Sequence, residues 1–179
     1  MIRSILNVIS FPGVIFHELG HQIFCHLTGV KVFKVRYFRF GNPAGYVEHE
    51  EPTKFLQSLL ITTGPFIFGT LSSIICFIIS KNIFETNKSL GIFLIWLGLA
   101  IAINCFPSKQ DAKNLFHDTN KNIFKNPLSI IGYPFVIIIY VVQFLSIIFM
   151  DVIYSAFLWF ISNQYLYDFV FKYLFIKTK

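Results

Sequence analysis

Apolar residues in this chain fall into long blocks separated by short polar stretches, and the blocks define its elements. Four of them, near residues 4–29, 55–80, 90–106 and 128–150, approach or exceed the ~20 residues a helix needs to cross a bilayer core. An aromatic-rich stretch over 152–175 reads as a fifth span or an interfacial helix. The segment after the first block has a different rhythm. Over residues 30–40, Phe33, Val35 and Tyr37 alternate with Lys34 and Arg36 at the period of a strand. Gly41, Asn42, Pro43, Ala44 and Gly45 make a turn cluster, and residues 46–51 return as a second strand before Pro52. The pattern predicts an all-α polytopic membrane protein, a bundle of four to five transmembrane helices with a small membrane-surface β-hairpin at 30–51. Within the blocks, Pro12-Gly13 predicts a kink or restart of the first helix, and Thr62-Thr63-Gly64-Pro65 a lost hydrogen bond in the second. The polar residues 108–125 predict a loop with short helical turns.

Composition agrees with the blocks. Of 179 residues, 55% are hydrophobic and 13% charged, with a mean hydropathy of +0.64, whereas about a quarter of an ordinary soluble domain is charged. A disordered chain is excluded, and residues 1–179 read as a single transmembrane unit with no room for an appended soluble domain. The net charge of +6 does not point to nucleic acid, because the Lys and Arg lie in loops between blocks, where membrane topology explains them. The lipid bilayer is the expected partner, and no nucleic acid is expected. Loops after the first and third blocks carry nine basic residues against six opposite, or twelve against three if the tail spans. Either count places those loops in the cytoplasm and the N-terminus outside. The expected location is the plasma membrane of a prokaryote, multi-pass, with the active site toward the cytoplasm. Cys25, Cys76 and Cys105 are odd in number and lack metal-type spacing, so they read as free buried thiols. Arg3 and the apolar run after it resemble a secretory signal, but His and Glu interrupt the run and no small-residue cleavage site follows, which predicts an uncleaved first span.

The first block also carries His17-Glu18-Leu19-Gly20-His21. Residues four apart share a helix face, so the two imidazoles can meet one zinc ion, with Glu18 close enough to act on a water there. Ionisable groups inside an apolar span are costly unless compensated, and metal ligation compensates them. Hydrolysis at zinc needs a third protein ligand and an open position. Asp111, just past the third block, is the leading candidate, with His49, His117 and Asp118 as alternatives. Ser108 and Asp111 also fit a capping box, which gives Asp111 a competing role as a helix-start residue. His26, five residues beyond His21, is not expected to be a ligand.

At these residues the chain resembles the site-2 proteases, intramembrane zinc metalloproteases, over roughly residues 10–112. FHELGH matches the family's first motif, Gly45-Tyr46-Val47 is similar to a segment that follows it, Gly64-Pro65 is similar to an element of a later span, and Asn104-x-x-Pro107 with Asp111 resembles the third-ligand motif. The family commonly places its Asp one residue further on and follows it with Gly, where this chain has Ala112 and Lys113. The resemblance implies one Zn2+ per chain held by His17, His21 and Asp111, catalysis by Glu18, and substrate contacts at Asn104, Gly45, Tyr46, Gly64 and Pro65. It implies a minimal catalytic core acting on a membrane-protein substrate with a transmembrane helix. The hairpin would hold an unwound substrate strand by edge pairing. A catalytically silent membrane adaptor or chaperone on the same scaffold is the alternative, disfavoured by Glu18, which a binding module does not need. A metal-ion transporter is disfavoured because the polar residues gather at one end of the bundle.

Overall fold

The structure, a computed structural model, describes residues 8–124 and 126–170. Residues 4–7 of the first expected span, 171–175 of the last segment, and the basic residues Arg3, Lys125, Lys172, Lys177 and Lys179 lie outside them. The fold is mostly helical with one two-stranded antiparallel sheet. In chain order come α1 (Phe11–Thr28), β1 (Val32–Arg36), β2 (Tyr46–His49), α2 (Phe55–Ile83), α3 (Lys88–Ile103) and α4 (Lys109–Asn122). A 3-10 turn at Pro127–Ile131 then runs into α5 (Gly132–Leu145) and a second one, Ser146–Ile148. The chain ends in α6 (Met150–Ile161), a π-helical turn Ser162–Leu166 and the short α7 (Tyr167–Val170).

Of the kink or restart expected at Pro12-Gly13 the structure has the restart: helical residues 8–9 give way to a turn at Ser10, and Pro12 sits in the first turn of α1, where its missing N–H costs no helical bond. The helix ends at Gly29, whose φ of 73° allows the Val30 N–H to bond the Cys25 carbonyl at 2.8 Å. The hairpin lies inside its expected bounds, with Lys34 opposite Glu48, Val35 opposite Val47 and Arg36 opposite Tyr46. An irregularity between Val32 and Lys34 leaves Phe33 out of the pairing and exposed, so the alternation read across Phe33 is broken there. Residues 108–125 are not mainly loop. Fourteen of them form α4, because Ser108 and Asp111 make the capping box that starts a helix.

Among the described residues two helical stretches, fewer than the four to five expected, are long and apolar enough to cross a membrane: Phe55–Ile83 and Pro127–Ile148. The difference has local causes. α1 carries His17, Glu18, His21, Gln22 and His26, which dilute its apolar character, α3 has 16 residues and α6 has 12. In the two long stretches only 33% and 22% of the most apolar window is buried within the protein. A soluble core helix hides such a face. These helices turn it outward, as segments that associate with a bilayer do.

α2 is the spine, 29 residues long and hence about 43 Å. Three apolar clusters lie along it. Ile61 joins Cys25 and Val30, Phe55 joins Ala112, Leu115, Val136 and Ile139 from α4 and α5, and Phe77 joins Ala102 and Leu158 from α3 and α6. α1 packs on both α2 and α3. Gly13 and Gly20, seven residues apart and so on one face, set that packing. A Cβ at Gly13 would lie 2.0 Å from the Ala100 carbonyl oxygen of α3, and one at Gly20 would lie 2.7 Å from Cα of Pro65 in α2.

Candidate metal centre

The glycine-lined face of α1 also carries His17 and His21, which therefore reach the backbones of the neighbouring helices. His17 Nδ1 lies 2.8 Å from the Asn104 carbonyl oxygen, and His21 Nδ1 lies 2.9 Å from that of Ile61. A carbonyl only accepts, so each Nδ1 carries a proton and each ring turns its Nε2 the other way. Both Nε2 atoms face one carboxylate. His17 Nε2 is 3.7 Å from Asp111 Oδ2, and His21 Nε2 is 3.3 Å from Asp111 Oδ1. Ligands about 2.0–2.1 Å from a tetrahedral ion stand roughly 3.4 Å apart, so these spacings fit one ion of zinc's size between the three side chains. The imidazoles, each anchored by a backbone acceptor, have the orientation that outer-shell partners give to metal-bound histidines.

Asp111 combines the two roles that its sequence left open. Its Oδ2 accepts the Ser108 N–H at 2.6 Å, its own N–H donates to Ser108 Oγ at 3.2 Å, and the same carboxylate faces both imidazoles. Burial alone would raise its pKa, but the facing imidazoles outweigh that and hold the carboxyl well below its ordinary value. The α4 cap thus fixes where this carboxylate points.

Glu18 is buried on the wall of the same cavity, about 510 Å³, as His17, His21 and Asp111. The turn before β2 lies directly on it. A Cβ at Gly45 would come within 2.6 Å of Glu18 Cγ and 2.9 Å of the Tyr37 carbonyl oxygen, so only glycine fits. Tyr46 also lines the cavity, and the cationic ends of Lys34 and Arg39 sit 5.6 and 5.3 Å from its ring centre.

Asn104 lies on the cavity wall, and its side-chain amide donates to Ser10 Oγ, the Ser10 carbonyl and the Ala100 carbonyl. Its observed work is to close α3 and present its own carbonyl to His17. Gly64 and Pro65 are off the cavity wall, packed in the crossing of α1 and α2, where a Cβ at Gly64 would meet Phe24 at 2.7 Å.

His26, not expected to be a ligand, is exposed. None of the alternative ligands joins the group of His17, His21 and Asp111. His49 lines the same cavity with its Nδ1 on the Glu50 carbonyl. Asp118 is not a solvated loop residue. It is buried on α4 and accepts the Ser58 hydroxyl, a couple that the sequence reading did not find. Its seven-residue offset from Asp111, which puts the two on one helix face, was the available signal. Burial raises the Asp118 carboxyl above its ordinary pKa, with the Ser58 hydrogen bond opposing. Asp118 also belongs to a second group with Glu51 and His117, whose ligand atoms lie within 4.8 Å of one another, as do those of His17, His21 and Asp111. Gln143 of α5 donates to the Pro107 carbonyl at 2.6 Å, holding the turn that joins Asn104 to Asp111. No sequence pattern marked it.

No protein-family model, curated protein or solved structure matches this chain.

Proposed function

We propose that this protein is a zinc-dependent intramembrane endopeptidase, similar to the site-2 proteases, that hydrolyses a peptide bond in or near a transmembrane segment of a membrane-protein substrate. One observation carries the reading: two carbonyl-anchored imidazoles and the Asp111 carboxylate converge on one point, with Glu18 on the wall of the same cavity. His17, His21 and Asp111 would hold one zinc per chain, three protein ligands being the usual number where a fourth position stays open for reaction. Zinc bound there supplies Lewis-acid polarisation of the scissile carbonyl and acidification of the attacking water. Glu18 takes a proton from that water as its oxygen bonds to the carbonyl carbon, and delivers it to the amine as the C–N bond breaks. Gly45 keeps the Glu18 carboxylate at the cavity wall, and Asn104 and Ile61 keep the two rings from rotating.

A transmembrane substrate hides its carbonyls in helical hydrogen bonds and must unwind before one can react. Among the described residues each strand of the two-stranded sheet has one partner, which leaves an outer edge for an extended segment to pair with. The proposal extends to a multi-pass arrangement in a prokaryotic plasma membrane with the centre toward the cytoplasm, on the charge count of the loops. Co-expression with single-span candidate substrates tests the activity: the wild type is expected to cleave one, and Glu18→Gln to leave it whole with zinc still bound. Equal cleavage by Glu18→Gln would remove the hydrolase reading. Labelling of cysteines introduced at Lys34, Lys81 and Lys113 in intact cells tests the orientation, with only position 81 expected to react from outside.

A further inference from the structure

Both imidazoles are anchored on backbone carbonyls near helix interruptions. Asn104 is the C-cap of α3, three residues before Pro107, and the Ser108 N–H that would continue the ladder toward it donates to Asp111 instead. Ile61 presents a harder case, because it lies inside the unbroken helix α2. An interior carbonyl normally accepts the N–H four residues on, and four residues after Ile61 comes Pro65, which has none. The carbonyl released by that missing donor belongs to the residue that His21 Nδ1 contacts at 2.9 Å, at a buried site.

We infer that Pro65 is a positioning residue for the metal centre: by withholding an N–H from the α2 ladder it leaves the Ile61 carbonyl to fix the ring and tautomer of His21. The inference deepens the metal-centre reading above and rests on it for its bearing on zinc. Three further features agree. Pro65 is fully buried, its Cα is where a Cβ on Gly20 would collide, and Gly20 directly precedes His21. The crossing that brings α1 onto Pro65 thus also brings His21 onto the carbonyl that Pro65 has freed. In an uninterrupted helix the ring would compete with a backbone donor for that oxygen, and a histidine without a fixed Nδ1 acceptor offers its Nε2 lone pair only part of the time.

The full-length protein in detergent or nanodiscs is suited to the test, with zinc alone as the probe. Ring nitrogen shifts of the metal-free protein are expected to show both His17 and His21 protonated at Nδ1. In Pro65→Ala and Pro65→Gly, which restore the donor, His21 is expected to lose that preference while His17, anchored on Asn104, keeps it. Zinc affinity is expected to fall 10–100-fold, the usual effect of losing an outer-shell partner. The thermal midpoint of metal-free Pro65→Ala is expected to hold or rise, because alanine suits a helix interior better. Phe24→Leu loosens the same crossing at Gly64 without adding a donor, and is expected to leave the His21 tautomer unchanged.

A wild-type His21 protonated at Nε2 with no proton on Nδ1, an unaltered His21 tautomer and zinc affinity in folded Pro65→Ala, or the same tautomer change in Phe24→Leu would each overturn the inference. If the wild type binds no zinc, the metal-centre reading fails, and the tautomer measurements still decide the role of Pro65.

Discussion

The two groups of ligand-type side chains share a spacing and little else. In the first, His17, His21 and Asp111 are nearly enclosed, with side chains 10–13% exposed. Each ring is tied to a backbone carbonyl of another segment, and the carboxylate is tied to a helix cap. In the second, His117 and Glu51 are 72% and 54% exposed, and Asp118 turns to the Ser58 hydroxyl. The Lys121 ammonium lies 2.6 Å from Glu51, forming the hydrogen bond that lowers that carboxyl's pKa, and so already occupies one of the carboxylate oxygens a metal cation would need. Donor atoms in the first group are already oriented for a cation, whereas those in the second would have to displace a lysine and order long exposed side chains. Proximity of donor atoms makes a cluster. Outer contacts are what orient one for a metal.

Breaking the first group is expected to have the largest effect. His17→Ala or His21→Ala should lose both zinc, read by metal analysis, and all measurable cleavage. Asp111→Ala should do the same and lose its cap, at a cost of about 1 kcal/mol in thermal stability. Asp111→Asn sharpens the point, because it keeps an oxygen for the Ser108 N–H and should lose most zinc with little loss of stability. Chelation and zinc titration come next: one equivalent per chain is expected to bind, and two would mean that the exposed group is also a centre.

Asp118→Asn should leave zinc and cleavage intact and act on stability through pH. The native Asp118 pKa is raised above the ordinary value of 3.8, so its carboxyl favours folding below that value and loses the contribution as pH rises through the native pKa. The asparagine variant, which does not titrate, is expected to gain on the wild type over that interval in thermal unfolding. Smallest of all, Lys121→Ala should leave activity unchanged and the melting temperature scarcely moved, as exposed ion pairs contribute little.

Much of the first group was legible in the chain, because the four-residue spacing of His17 and His21 is enforced by a single helix and Glu18 falls between them. The β-hairpin was legible from its turn cluster and alternation for a similar local reason. Asp111 was harder to read. Its distance from the Asn104 carbonyl depends on how α3 ends and α4 begins, and the competing cap proved to be the device that aims the carboxylate. Span counting went too far for a physical reason: apolar blocks record what is hidden from water, and α3, at 16 residues, and the polar α1 are covered in part by neighbouring helices. Asp118 is hard to read because the polar stretch around it has the composition of a loop, although the Ser108 start signal specifies a helix that buries one face.

The face of α1 that carries Gly13 and Gly20 changes what counts as the motif. A metalloprotease pattern is usually written as two histidines and a glutamate, which says nothing about what surrounds them. Here the informative string is Gly13-Val14-Ile15-Phe16-His17-Glu18-Leu19-Gly20-His21, nine letters of which the two glycines are as specific as the ligands. They are the points where neighbouring backbones touch α1, Gly13 one turn before His17 and Gly20 directly before His21, the rings that those backbones hold. A chain that keeps the histidines and replaces either glycine with a larger residue would retain the letters of a metal site without the geometry. Scanning genomes for both features together would separate folded centres from chance matches more sharply than the ligands alone.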